Sequence, residues 1–95
     1  MGDGCFRVSR DHPCLHGHFP GRPLVPGVVI LDHVLDAIER THGPLGALRL
    51  TQVKFLQPLF PDERANVVLE PVDRARWRFR VLRGAVVLAT GEVCA

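Results

Sequence analysis

The chain has 95 residues, of which 46% are hydrophobic and 23% charged, a balance typical of one small globular domain spanning residues 1–95. A chain of this size buries only a little over ~60% of its unfolded surface, so we expect it to form oligomers. The formal net charge of +2 is too mild to indicate a nucleic-acid partner. No apolar run approaches the ~20 residues of a membrane span, so we expect no membrane partner either. The three cysteines form no CxxC pair, and the amino terminus lacks a signal-peptide pattern; both features favour a cytoplasmic protein with free thiols.

A short strand and a helix are the first predicted elements. Residues 5–10 alternate apolar and polar side chains, as a strand does. Residues 27–40 place apolar side chains on one arc and charged side chains on the opposite arc, as in an amphipathic helix. Val28 lies at the start of the charged arc, so we expect protein to cover that end of the helix. Gly43 and Pro44 are stop signals that end the helix.

Four strands are predicted after the helix, in residues 47–57, 65–70, 75–82 and 85–93. The first of them changes parity near Thr51 and Gln52, which indicates a bulge. Pro71 is expected to end the second, and Arg83-Gly84 to form the hairpin turn before the last. One helix and a meander of four strands predict an α+β fold, with an antiparallel sheet packed on a single helix.

The segment from residue 12 to residue 32, HPCLHGHFPGRPLVPGVVILD, carries the residue types that chemistry needs. Its prolines and glycines specify a rigid loop path. His18 can accept a proton near neutral pH, and Asp32 follows it by fourteen positions. The Gly27 amide opens the helix and can stabilise negative charge on a carbonyl oxygen. The residues alone leave alternatives open: a loop histidine bonded to backbone, a solvated aspartate, and a glycine required only by the turn.

Every second residue from 12 to 18 is a histidine or a cysteine, which are the ligands that zinc prefers: His12, Cys14, His16 and His18. Alternate residues of an extended chain lie ~6–7 Å apart, so four of them cannot close a tetrahedron without a chain reversal. We therefore expect no metal site.

The segment HGHFPGRPLVPGVVILD resembles the signature loop and central helix of the hot-dog-fold 3-hydroxyacyl-acyl carrier protein dehydratases. The resemblance implies a curved antiparallel sheet wrapped around one central helix. It also implies that His18 and Asp32 are the catalytic pair, donated by neighbouring subunits, and that the Gly27 amide binds the thioester carbonyl. The residues that would contact the substrate beside them are Phe19, Pro26 and Val28.

In the implied reaction, His18 removes the C2 proton of a 3-hydroxyacyl thioester that is carried on the phosphopantetheine of an acyl carrier protein. The Gly27 amide stabilises the enolate oxygen, and Asp32 protonates or orients the departing 3-hydroxyl. The products are a trans-2-enoyl thioester and water, and no cofactor is needed. The subunits are expected to form a homodimer or a hetero-hot-dog oligomer. The alternatives are a non-catalytic subunit that pairs with an active dehydratase, and a thioesterase on the same fold.

A stripe of arginines lies along the predicted strand of residues 75–82 and its flanks: Arg74, Arg76, Arg78, Arg80 and Arg83. Such a stripe is either a solvated strand face that prevents edge pairing or a docking surface for the acidic carrier protein. The candidate docking residues are Arg22, Arg76, Arg78 and Arg80. Strand parity directs Trp77 and Phe79 to the opposite face, which disfavours stacking on nucleic-acid bases.

Overall fold

The computed structural model describes residues 4–11, 24–43 and 46–95. The elements are β1 (Gly4–Arg7), α1 (Gly27–His42), β2 (Arg49–Phe55), β3 (Arg64–Asp73), β4 (Arg76–Arg83) and β5 (Val86–Cys94). The five strands form one antiparallel sheet in the order β1-β3-β4-β5-β2. The predicted α+β fold, with one helix on an antiparallel sheet, is confirmed for the described residues. Within those residues, no helix is long and apolar enough to cross a membrane.

The helix α1 buries the apolar arc that the sequence predicts, namely Ile30, Val34, Ala37 and Ile38. The ring of Phe6 on β1 stacks on the ring of His33, with centroids 4.1 Å apart, and fixes β1 against the helix. The helix runs to His42, two residues beyond the predicted range, and ends at the predicted stop signal Gly43. Gly43 takes a φ of 79° and donates its N–H to the carbonyl of Glu39. Pro44, the second predicted stop signal, lies outside the described residues.

The start of α1 is more open than predicted. Val28 is 65% exposed, so the expectation that protein covers this side chain is wrong for the single chain. The reason is geometric: Val28 lies one helical turn before Asp32, which is also exposed, and both face away from the sheet. The helix start therefore presents an apolar side chain to solvent or to another subunit.

The inner face of the sheet is packed by alternate residues of β4, in which Trp77, Phe79 and Val81 are buried. Gly91 on β5 leaves room for the ring of Phe79, because a methyl group on Gly91 would lie 2.6 Å from Phe79 Cε2. The predicted alternation of β4 is thus confirmed, with Arg76, Arg78 and Arg80 on the outer face.

The prediction of a four-strand meander is wrong, because β2 pairs with β5 and not with β3. Residues 56–63 connect β2 to β3, and this connection is longer than a hairpin loop. It begins beside β5, where the Leu56 N–H donates to the Leu88 carbonyl at 2.8 Å. It then reaches the β1 side, where the Asp62 N–H donates to the Val8 carbonyl at 2.8 Å. The connection therefore crosses the end of the sheet and leaves β2 at an edge.

Two local predictions have opposite outcomes. The bulge in β2 is confirmed, because Gln52 has a φ of 54° and the register with β5 shifts between Thr51 and Lys54. Pro71, however, does not end β3, which runs on to Asp73. In the described residues the pairing of β3 with β1 stops at Val67, so Pro71 lies where β3 is an edge strand and a missing N–H is tolerated.

Candidate functional site

The structure describes some of the predicted site residues and not others. Those described are Pro26, Gly27, Val28, Asp32, Arg76, Arg78 and Arg80. Those outside the described residues are His18, Phe19 and Arg22, together with the zinc candidates His12, Cys14 and His16. The described part of the site therefore consists of the helix start, the sheet edge beside it and the arginine face.

The first turn of α1 presents a backbone N–H group, that of Gly27, which has no partner among the described residues. Pro26 precedes the helix in an extended conformation, and its carbonyl accepts the N–H groups of Val29 and Ile30 at 3.0 and 3.4 Å. In the described part of the chain, no acceptor pairs with the Gly27 N–H, and the first turn holds no acidic side chain. The positive end of the helix dipole is therefore not neutralised by these residues.

The ring of Phe55 lies directly against the backbone of Gly27. A methyl group on Gly27 would lie 2.5 Å from Phe55 Cζ, far inside the ~3.5–4.0 Å of an ordinary carbon contact. Only a glycine therefore permits this approach. Sequence reasoning missed Phe55, although the bulge it predicted in β2 is the signal: after the bulge Phe55 pairs with buried Ala89 and faces the helix.

An apolar cavity of about 350 Å³ opens beside Gly27 and Phe55. Its lining is Leu24, Val25, Gly27, Ile30, Phe55, Leu56, Gln57, Pro58 and Leu59. Val25, Ile30 and Leu59 are buried and form its floor, whereas Phe55 and Leu56 at its rim are each 52% exposed. The Val25 N–H donates to the Leu59 carbonyl at 2.9 Å and ties the segment before α1 to the β2–β3 connection. Gln57 supplies the only polar side chain among the lining residues named here.

Asp32 does not face this cavity. It lies five residues after Gly27, which is about 140° around the helix and ~7.5 Å along its axis. Its side chain is exposed, and no described residue forms a hydrogen bond or ion pair with its carboxylate. Within one chain the structure thus brings together Gly27 and Phe55, but not Gly27 and Asp32.

Two arginines of the cationic stripe are held by carboxylates. Arg76 lies 3.4 Å from Asp73 and 3.6 Å from Glu92. Arg83 binds the Glu63 carboxylate and the Pro58 carbonyl, both at 3.0 Å. Because these contacts neutralise the side chains or tie them to the β2–β3 connection, neither arginine is available as an isolated cation.

The central residues of the stripe differ in what lies across from them. Arg78 is opposite Glu70 on β3 and Glu92 on β5. Arg80 is opposite Val68 and Thr90, and no described carboxylate lies within ion-pair distance of it.

Lys54 lies on the far side of Thr90, so Arg80 and Lys54 flank one strand on the outer face. This face lies on the side of the sheet opposite to α1 and the cavity, since Phe79, which alternates with these arginines, is buried on the inner side.

Comparison with known proteins shows sequence similarity to dehydratases. The family model ApeI-like, described as ApeI dehydratase, matches residues 3–92. A 3-hydroxyacyl-[acyl-carrier-protein] dehydratase FabZ of Mannheimia succiniciproducens is 30% identical over 78 residues, covering 73% of this chain and 52% of that protein. The corresponding FabZ of Bradyrhizobium sp. is 30% identical over 90 residues, covering 82% of this chain and 59% of that protein. The chain therefore spans between half and three-fifths of the length of these curated relatives.

Solved structures show the same fold. A chain of the dehydratase heterocomplex ApeI:P from Xenorhabdus doucetiae matches with a TM-score of 0.79 and 23% identity, covering 96% of this chain and 84% of that one. An uncharacterised protein from Erwinia carotovora matches with a TM-score of 0.75 and 26% identity, covering 95% of this chain and 77% of that one. The fluoroacetyl-CoA thioesterase FlK matches with a TM-score of 0.63 and 18% identity, covering 96% of this chain and 81% of that one. The predicted hot-dog fold is confirmed.

Proposed function

Because the chain belongs to the ApeI-like dehydratase family, we propose that it removes water from a 3-hydroxyacyl thioester and forms a trans-2-enoyl thioester. The observation that carries the proposal is the Gly27 N–H, which opens α1 without an acceptor in the described residues, beside an apolar cavity. Removal of a C2 proton places negative charge on the thioester oxygen, and an oriented N–H at a helix start stabilises such charge.

The proposed proton transfers use the two side chains of the signature segment. His18, as a neutral imidazole, accepts the C2 proton. Asp32 protonates or orients the 3-hydroxyl, which leaves as water. Because Asp32 faces away from Gly27 within one chain, the proposal requires the Asp32 of one subunit to act at the Gly27 of another.

The exposed apolar side chains around the helix start support a partner subunit. Val28 is 65% exposed, and Phe55 and Leu56 are each 52% exposed on or beside the edge strand β2. A cluster of large apolar side chains beside an unpaired strand edge is typical of a protein–protein contact. We propose that a second hot-dog subunit, identical or different, covers this region.

The proposed substrate is bound to an acyl carrier protein. The FabZ relatives carry that substrate class in their names, and these relatives are about 30% identical to the chain. On the chain itself, Arg80 is the candidate contact for an acidic carrier, because no described carboxylate neutralises it. Phe19, Pro26 and Arg22 remain proposed contacts of the substrate and its carrier.

A second candidate is a subunit that serves a heterocomplex and does not turn over substrate alone. It is favoured by the fold similarity to a chain of the ApeI:P heterocomplex. Under this alternative the purified chain is inactive and gains activity only with a different hot-dog subunit.

Mass spectrometry of a purified-protein reaction tests the proposal. The protein is incubated with a 3-hydroxyacyl-acyl carrier protein, and a known dehydratase serves as the positive control. We expect a product lighter by one water. Release of free acid from a saturated acyl thioester would instead identify a thioesterase. If no lighter product forms while the control reacts, the chain alone is not a dehydratase.

A further inference from the structure

We infer that Phe55 determines which acyl chains the site accepts, because its ring lies against the Gly27 backbone and lines the apolar cavity beside it. The inference rests on the proposed function and adds to it the position of the acyl chain. Phe55 takes no part in proton transfer or bond breaking, and its proposed role is to select the substrate.

The cavity suits an acyl chain better than a polar ligand. Its floor is made of buried aliphatic side chains, Val25, Ile30 and Leu59, and its rim carries Phe55 and Leu56. No charged residue lines it among those the structure places there. A polar ligand would lose its hydrogen bonds to water in this cavity, and only the side-chain amide of Gln57 could replace them. An alkyl chain, in contrast, gains free energy when its apolar surface leaves water.

Phe55 lies where the acyl chain and the thioester must meet. Its ring contacts the Gly27 backbone so closely that a methyl group there would lie 2.5 Å from Cζ. The same ring lines the cavity and is 52% exposed, so its size limits the space next to the amide. An acyl chain whose carbonyl binds the Gly27 N–H and whose methylenes enter the cavity would therefore lie beside the Phe55 ring.

The expected effect follows from the value of burying methylene groups. Each further methylene that enters an apolar site strengthens binding about fourfold. Replacing the benzyl side chain with the methyl group of alanine admits additional methylenes beside Gly27, and two of them give roughly a fifteenfold gain in affinity. Phe55→Ala is therefore expected to shift the preference from short to long chains, and Phe55→Leu to shift it less.

The experiment compares kcat/KM for 3-hydroxybutyryl and 3-hydroxydecanoyl pantetheine thioesters in the wild type, Phe55→Ala and Phe55→Leu. The control is Phe60→Ala, because Phe60 is 40% exposed, follows the same strand and does not line the cavity. We expect the long-to-short ratio to rise about tenfold or more in Phe55→Ala and to stay within twofold in Phe60→Ala. A ratio that changes less than threefold in both folded Phe55 variants, or equally in Phe60→Ala, would overturn the inference.

A binding measurement keeps this test separate from the proposed activity and from misfolding. Saturated acyl pantetheine thioesters of increasing length cannot be dehydrated, and calorimetry measures their affinity for the wild type and for Phe55→Leu. We expect the affinity to rise with chain length and then level off, and we expect the chain length at which it levels off to be greater in Phe55→Leu. Affinity that is independent of length overturns the inference. A length-dependent affinity without any enoyl product would support the acyl site and reject the dehydratase proposal.

Discussion

The ring of Phe55, at the end of the edge strand β2, lies against the backbone of Gly27, where α1 begins. This contact joins the edge of the sheet to the one described N–H group that we propose as the oxyanion donor. The contact also explains why the first residue of the helix is a glycine. A side chain at position 27 would collide with the Phe55 ring, so glycine is needed there for more than the turn.

The variant Gly27→Ala is expected to lose activity but keep its fold. The added methyl group displaces the end of the Phe55 ring, which is half-exposed within the single chain, while alanine is the better helix former. We expect a fall in kcat/KM of tenfold or more and a change in the free energy of unfolding of no more than about 1 kcal/mol. Urea unfolding and steady-state kinetics measure the two quantities. Full activity in this variant would show that the contact has no functional role.

The variant Gly91→Ala is expected to behave in the opposite way, as a stability defect. Its methyl group would meet Phe79, which is 1% exposed, at 2.6 Å and the Val53 Cα at 3.2 Å, so neither neighbour can move into solvent. Overpacking of this kind destabilises by about 1–3 kcal/mol. The control is Thr90→Ala, one residue earlier on the other face of β5, for which a loss below about 1 kcal/mol is expected. Equal urea midpoints for the two variants would contradict the packing described here.

Asp32→Asn is expected to reduce kcat at least a hundredfold, as removal of a group that acts in proton transfer does. Asp36→Asn is the matched control, because Asp36 lies one turn later on the same exposed face and only pairs with Arg40 at 3.1 Å. That exposed pair contributes ~0.3–0.5 kcal/mol, so its loss leaves both activity and folding nearly unchanged. If the two variants have the same kcat, Asp32 is a solvated helix residue.

Arg80→Ala is expected to raise the KM for a carrier-bound substrate about threefold to tenfold and to leave the KM for a pantetheine thioester unchanged. An exposed cation contributes to docking with an acidic protein through long-range attraction, so added salt should reduce the difference. Arg76→Ala should have a smaller effect, because Asp73 and Glu92 already neutralise Arg76. No change in either KM would identify the stripe as a solvated strand face.

Local patterns predicted most of the elements correctly, and the errors concern relations between distant segments. The arc of α1, the alternation of β4 and the bulge in β2 each depend on neighbouring residues, and each is confirmed. The pairing of β2 with β5 depends on how residues 56–63 cross the sheet, which no local pattern encodes. Pro71 was a misleading signal because its effect depends on whether β3 has a second neighbour, besides β4, at that point.

The site residues show the same difference between features that a local pattern predicts and contacts between distant segments. The motif predicted Gly27 as a helix-opening residue, and the structure has it there with an N–H that no described acceptor uses. The predicted bulge indicates that Phe55 turns toward the helix, but its contact with Gly27 joins residues 28 positions apart, and no local pattern identifies that partner. Similarly, helical periodicity places Asp32 on the exposed arc, but it says nothing about the subunit that this arc faces.

Conversion of a 3-hydroxyacyl-acyl carrier protein by the wild type and by His18→Ala tests the central claim most directly. Mass spectrometry follows the loss of one water, and circular dichroism establishes that both proteins are folded. We predict that the wild type forms the enoyl product and that His18→Ala, which lacks the base for the C2 proton, is slower by at least a hundredfold. Equal rates in the two folded proteins, or no product from the wild type, would contradict the account.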